Sequence, residues 1–136
     1  MSQILIIEDS LYQRAKTKHL LESAGHQVLQ ATNGREGLMM AAASEPACIL
    51  LDLIMPEMGG IEVLEELRSH GSHIPVIVVS ADVQESTQRQ CLELGAVAFV
   101  NKPPQPRELE IAVSTALATY AALAAAAAHR TAGGLA

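Results

Sequence analysis

The 136-residue sequence predicts an α/β domain in which five strands, each followed by a helix, form one parallel sheet covered on both faces. Three observations carry this expectation. Short apolar runs such as Ile4-Leu5-Ile6-Ile7, Cys48-Ile49-Leu50-Leu51 and Val76-Ile77-Val78-Val79 lack any polar interruption, as strands buried on both faces do. Helix-length segments lie between them, opened by capping residues and closed by Gly25, Gly71 and Gly95. Polar residues able to do chemistry stand where the apolar runs end.

The first strand, Ile4 to Ile7, ends in Glu8-Asp9. Ser10 with Gln13 three residues on has capping-box spacing, and the helix it opens runs to about Ala24, with Gly25 as its stop. Its apolar stripe is weak, because Lys16, Lys18 and His19 interrupt Leu11, Ala15, Leu20 and Leu21, so tertiary contacts must hold it. Gln27–Ala31 is a shorter, more polar strand. Asn33 and Glu36 then open a helix to about Ser44; Gly37 inside it costs about 1 kcal/mol against Ala unless a neighbour needs the close approach.

The third strand ends in Asp52, and Pro56 leaves too little length for a buried helix instead. Gly59-Gly60 leads into a helix with Ile61, Val63, Leu64 and Leu67 at helical spacing, and Gly71 stops it. Pro75 opens the fourth strand, a position where proline is tolerated, and the strand ends in Ser80-Ala81. Asp82 and Glu85 cap a helix that closes at Gly95. Ala96–Val100 is the fifth strand, followed by Asn101-Lys102-Pro103, and Pro106 suits the first turn of a last helix. Alanine dominates from about Ala121 and prolongs that helix before it frays. The expected division is a domain over residues 1–120 and an Ala-rich helical extension or frayed tail over 121–136.

Composition excludes several classes of function. A net charge of −6 and a pI near 5.3 argue against direct nucleic-acid binding, which needs a basic face. No Trp, two Tyr and one Phe leave no platform for stacking bases. Cys48 and Cys91 stand apart in apolar company, as buried thiols in a reducing compartment rather than a disulfide or metal site. Met1-Ser2-Gln3 lacks a positive n-region, so no signal peptide is expected and the chain is expected in the cytoplasm. Ile111–Ala128 is uncharged and just reaches spanning length, but it is mostly Ala, which contributes little to insertion; no membrane role is expected.

In a parallel sheet the strand ends share one edge, which in open α/β sheets is where ligands gather. Glu8, Asp9, Asp52, Ser80 and Lys102 should therefore converge. Three carboxylates so close raise one another's pKa, and they stay ionised together around a divalent cation. Oxygen-only ligands without His point to Mg²⁺, with Mn²⁺ as a substitute. A hydroxyl and a lysine add donors for phosphoryl oxygens, which makes a site for in-line phosphoryl transfer to a carboxylate. Singly, each residue has a duller role as cap, turn former, solvated lysine or favourable charge at a helix N-terminus. It is their joint placement at strand ends that is specific.

From about Gln3 to Tyr120 the chain resembles the receiver domain of bacterial two-component response regulators. The matching motifs are Glu8-Asp9-Ser10, Asp52-Leu53-Ile54-Met55-Pro56-Glu57-Met58-Gly59-Gly60, Ser80-Ala81 and Phe99-Val100-Asn101-Lys102-Pro103. The resemblance implies a (βα)5, flavodoxin-like sheet with strand order 2-1-3-4-5. Asp52 would be the phosphoacceptor. Asp9 would bind Mg²⁺ directly and Glu8 through water, with Asp52 and the Ile54 backbone carbonyl as further ligands. Ser80, the Ala81 backbone and Lys102 would hold the phosphoryl group. Phe99 would move inward when Ser80 is drawn to the phosphate, and the Lys102-Pro103 bond would be cis. Gln105 departs from the acidic or small residue common as the last helix's cap. The stretch from the Asp52 motif to Cys91 is similar to receivers found beside chemotaxis phosphatases.

Phosphorylation signals only by favouring one of two existing conformations. The resemblance places the output on the fourth helix, fifth strand and fifth helix, roughly Val83–Leu94 and Ala98–Ala118. A sensor histidine kinase or phosphotransfer protein would donate the phosphoryl group. The output is expected through a downstream protein or a homodimer, formed by that surface or by the C-terminal helix. Such a chain catalyses only its own phosphorylation and dephosphorylation. Two rivals are a haloacid-dehalogenase-like phosphatase, which needs a second Asp where Ile54 stands, and a phosphorylation-independent adaptor, which commonly lacks an acidic residue or the Lys. Asp82, two residues beyond Ser80, is a helix cap or a positioner of water.

Overall fold

A computed structural model describes residues 2–82 and 84–134, with side chains through Ala128. The elements in order are β1 (Gln3–Ile7), α1 (Leu11–Ser23), β2 (Gln27–Ala31), α2 (Gly34–Ser44), β3 (Cys48–Asp52), α3 (Gly60–Ser69), β4 (Val76–Ser80), α4 (Glu85–Glu93), β5 (Ala98–Asn101) and α5 (Pro106–Gly134). The strands form one five-stranded sheet of order β2-β1-β3-β4-β5, and every neighbouring pair is parallel. The flavodoxin-like arrangement expected above is the one observed.

Pleating divides each strand between two cores. Leu5, Ile7, Ile49, Leu51, Val76 and Val78 face one side, where Ala41 of α2, Val63, Leu64 and Leu67 of α3, and Cys91 of α4 cover them. Ile4, Ile6, Cys48, Leu50, Ile77, Val79 and Val100 face the other, under Leu21 of α1 and Leu109, Ala112, Val113 and Ala116 of α5. β3 and β4 are buried along their whole length, which is why their sequences are continuously apolar. Each fully buried Ile, Leu or Val contributes about 1.5–3 kcal/mol.

Local chemistry sets the helix ends. Ser10 Oγ accepts from the Gln13 amide at 3.2 Å, and Asn33 Oδ1 from the Glu36 amide at 2.8 Å. Gly37 is needed for packing: a Cβ there would lie 2.7 Å from Ile7 Cγ1, so its absence lets α2 settle on β1. Gly60 is needed just below the β3 terminus, where a Cβ would lie 2.7 Å from Leu53 Cα while its own amide bonds Leu53 O at 2.9 Å.

Three expectations need correction. α4 is capped at Gln84, because the Asp82 carboxylate bonds the Gln84 amide and the Thr87 hydroxyl and holds residue 82 in the preceding turn. β5 begins at Ala98 rather than Ala96: the Ala96 amide is spent on Cys91 O, closing α4. On α1, Leu11 is 72% exposed and Ala15 is also exposed, so only Leu21, with Leu20 beside it, anchors the helix. α2 ends at Ser44 as expected, and its C-cap Glu45 lies in the left-handed region (φ 45°).

α5 is one continuous helix to Gly134. By length and composition Pro106–Ala128 could cross a membrane, but its first turns are a core helix through Leu109, Ala112, Val113 and Ala116. Val83, where the expected output surface starts, and Leu135 and Ala136 of the tail lie outside the described residues.

Candidate functional site

The strand pleat carries into the carboxyl edge of the sheet. Glu8 lies two residues after Ile6, Asp52 two after Leu50 and Lys102 two after Val100, so all three continue the rows that face α1 and α5. Glu8 and Asp52 are each 6% exposed. Buried carboxylates need a partner, since charge removed from water is costly unless paired. Lys102 supplies it: Nζ lies 2.6 Å from Glu8 Oε1 and 3.1 Å from Asp52 Oδ1. Burial alone would lower the Lys102 pKa, but hydrogen bonds to Glu8 and Asp52 and the charges of both outweigh it and hold it above its ordinary value. The Lys102 amide donates to Ser80 O at 2.9 Å, and the Lys102–Pro103 peptide is cis.

Every polar group of Glu8 is engaged. Its amide donates to Ala31 O at 3.1 Å, its carbonyl accepts from Arg14 Nη1 at 2.9 Å, and Oε2 accepts from the Ser10 amide at 3.2 Å. Asp9 is exposed, yet one carboxylate oxygen each from Glu8, Asp9 and Asp52 lie within 4.8 Å of one another. An all-oxygen donor set, partly buried and opening to solvent at Asp9, fits a hard divalent cation that keeps part of its water.

Ser80 belongs to the other row. It follows Val78 by two residues and is fully buried, and its Oγ accepts from the Asp82 amide at 3.1 Å. Asp82 Oδ1 in turn accepts from the Gln84 amide, and Oδ2 from Thr87 Oγ1, each at 2.9 Å. Phe99 pairs in register with Val78, is half-buried, and packs into the core under α2, α3 and α4. Ala81 is exposed beside Ser80, and the Ile54 side chain is 68% exposed on the loop after β3.

The sheet thus gathers Glu8, Asp9, Asp52 and Lys102 into one contact set. Ser80 ends the adjacent strand and reaches that set only through its backbone carbonyl, which accepts from the Lys102 amide; its hydroxyl makes no hydrogen bond to the set among the described residues, and Phe99 lies on the opposite side of the sheet. Two contacts escaped the sequence reading, that of Arg14 with the Glu8 carbonyl and that of Thr87 with Asp82. Arg14 had one signal: it stands seven residues before Leu21, on the row of α1 that faces the core. The thiols take no part. Burial pushes Cys48 up to about 12; burial, and then the Asp82 charge, raises Cys91, so neither is a ready nucleophile.

Comparison with known proteins identifies the family and the fold. The response regulator receiver domain family matches residues 4–114. The transcriptional regulatory protein SrrA of Staphylococcus aureus is 37% identical over 116 residues, which is 85% of this chain and 48% of that protein; the chain spans about half the length of the curated relatives it matches. Among solved structures, a receiver domain protein from Clostridium thermocellum superposes with a TM-score of 0.84 at 26% identity, over 90% of this chain and 99% of the other. The chemotaxis protein CheY4 of Vibrio cholerae gives 0.80 at 27% identity, over 86% and 99%.

Proposed function

The chain belongs to the response regulator receiver domain family, and on that premise we propose that it is a phosphorylation-dependent signalling switch whose acceptor is Asp52. One observation carries the reading: the Lys102 amine, arriving from β5, spans two buried carboxylates and lies 3.1 Å from Asp52. A structural ion pair needs one carboxylate. A lysine between two, with a third beside them, is suited to receive an anion that a bound cation also faces.

Lys102 holds one oxygen of Asp52, which leaves the other to form the O–P bond. In transfer from a phosphohistidine, that oxygen attacks phosphorus in line, the P–N bond breaks, and the imidazole nitrogen leaves with the electron pair. Glu8, Asp9, Asp52 and the Ile54 carbonyl would hold Mg²⁺, or Mn²⁺ in its place. When bound, the cation supplies positive charge to the phosphoryl oxygens. Lys102 pairs with a second oxygen. The Ser80 hydroxyl, with the Ala81 amide, binds a third. Ile54, two residues after Asp52, offers no group to activate water, which favours a lasting aspartyl phosphate over the turnover of a haloacid-dehalogenase-like phosphatase.

In reaching the phosphate, Ser80 turns from the Asp82 amide, and Phe99 follows into the space behind it. The surface that changes is α4, β5 and the start of α5. Its partners would be a sensor histidine kinase or phosphotransfer protein upstream and a protein effector or second copy downstream, in the cytoplasm.

Intact mass after incubation with Mg²⁺ and acetyl phosphate tests this. The expected result is a single phosphoryl adduct on the wild type and none on Asp52→Asn. Free phosphate released over many turnovers would favour the phosphatase. No adduct with any phosphodonor would leave a phosphorylation-independent adaptor.

A further inference from the structure

We propose that Arg14 is a positioning residue for the acidic cluster: its guanidinium fixes the peptide between Glu8 and Asp9 and so aims the Asp9 carboxylate at the cation. The inference rests on the reading above that Glu8, Asp9 and Asp52 hold a divalent ion.

Asp9 is exposed, and among the described residues no hydrogen bond or ion pair reaches its side chain. Its direction is therefore set by the backbone that precedes it. The Glu8 side chain is taken by Lys102 and the Ser10 amide, and the Glu8 amide by Ala31 of β2. The Glu8 carbonyl lies in the peptide plane that leads into Asp9, and Arg14 Nη1, at 2.9 Å, is its partner. A change in the Glu8 ψ, which the Arg14 contact opposes, would carry Asp9 and its carboxylate to a new position relative to Glu8 and Asp52.

A second observation marks this contact as more than packing. Arg14 Nε is buried and has no hydrogen-bond partner among the described residues. A buried donor on a charged group is normally satisfied, and leaving one unsatisfied is a cost that native structures avoid. Lys16, two residues on, is exposed, whereas Arg14 is half-buried and donates to the Glu8 carbonyl at the end of β1. A methionine would fill the same space without an orphaned donor, but it could not hold the carbonyl. The planar, preorganised guanidinium can.

Charge and position make opposite predictions. A fixed cation near the site repels a metal ion, so on charge alone removing Arg14 would tighten metal binding. If Arg14 acts by position, removing it loosens the Asp9 ligand and weakens binding.

The test is isothermal titration of Mg²⁺ into wild type, Arg14→Met, Arg14→Lys and Asp9→Asn, with thermal unfolding of each in EDTA. Arg14→Met should weaken Mg²⁺ affinity about tenfold, the scale on which groups that orient metal ligands act. Arg14→Lys, whose ammonium can donate to the same carbonyl, should recover most of that loss. Unchanged or tighter binding in Arg14→Met would overturn the proposal, and so would a lower Tm with affinity intact or no recovery in Arg14→Lys. Arg14→Leu, which likewise has no donor, replaces Arg14→Met if the latter does not fold, and it is judged by the same outcomes. A wild type that takes up no Mg²⁺ would remove the cation reading itself. Binding in wild type that Asp9→Asn weakens keeps that reading, whatever Arg14 does.

Discussion

Consecutive residues of one strand divide this molecule's work. Val79 points to the α1/α5 side and Ser80 to the α2–α4 side, and the sheet edge above them differs accordingly. On the first side, Glu8, Asp52 and Lys102 are locked: the carboxylates are buried, the lysine bridges them, and every polar group of Glu8 is engaged. On the second side the hold is slight. Ser80 Oγ accepts one hydrogen bond, Asp82 ties down the start of α4, and Phe99 is only half-buried. The difference teaches that pleat parity lets a tightly bridged charge cluster lie one residue from a loosely tied loop, which is where the proposed switch would put its chemistry and its readout.

Lys102→Met should break the rigid side most. With its side chain 18% exposed between carboxylates that are 8% and 7% exposed, removing it strands buried charge and should cost about 3 kcal/mol. Urea unfolding in EDTA measures this, and added Mg²⁺ should restore part of it by mass action. An unchanged midpoint would mean that the bridge contributes nothing.

Alkaline pH probes the same side without a substitution. The folded protein keeps the Cys48 proton up to about 12 while the unfolded chain loses it from 9.0, so stability falls as pH rises through that window. The slope is about 1.4 kcal/mol per pH unit. Lys102, also raised, adds a decline of the same sign at higher pH, above its ordinary 10.5. Cys48→Ala should flatten the first part of the curve; an equally steep fall in that variant would exclude the thiol as its source.

On the yielding side, Asp82→Ala should cost about 1 kcal/mol through lost loop hydrogen bonds and speed amide exchange at the start of α4. Ser80→Ala should still accept the phosphoryl group by mass, while nuclear magnetic resonance shifts around Phe99 no longer respond to it. A full response in that variant would place the coupling elsewhere.

The thiols give the smallest effect and the sharpest contrast. Cys48 sits on the locked side and Cys91 on the yielding side, both fully buried. Phosphorylation should change the rate of Cys91 labelling by a disulfide reagent several-fold and leave Cys48 silent. Equal changes at both would erase the distinction between the sides.

Much of this was legible because the sequence carries the determinants locally. Unbroken apolar runs marked β1, β3 and β4, and Gly25, Gly71 and Gly95 take positive φ where helices stop. The convergence of Glu8, Asp9, Asp52 and Lys102 followed from parallel strands alone. What stayed hidden depends on side chains choosing between partners. Asp82 and Glu85 have cap spacing, but Asp82 spends its oxygens on Gln84 and Thr87, so the cap moves to Gln84. Ala96 and Val97 look like strand residues, yet the Ala96 amide closes α4. Glu45 adopts a left-handed φ that no pattern announces. Arg14 reads as one more charge on a polar helix until the Glu8 carbonyl is seen beside it.

The length of α5 bears on how far a small event at the edge can travel. It starts four residues after Lys102, whose amide is tied to Ser80, and its 29 residues make a rod of about 43 Å. Tilting such a rod by about 5° at its root sweeps the far tip through nearly 4 Å, an amplification set by length alone and needing no further contact along the way. Partway along the rod, Tyr120 and Leu123 line an apolar groove of about 850 Å³ together with Met39 and Ile74, and there the same tilt would displace the helix by about 2 Å.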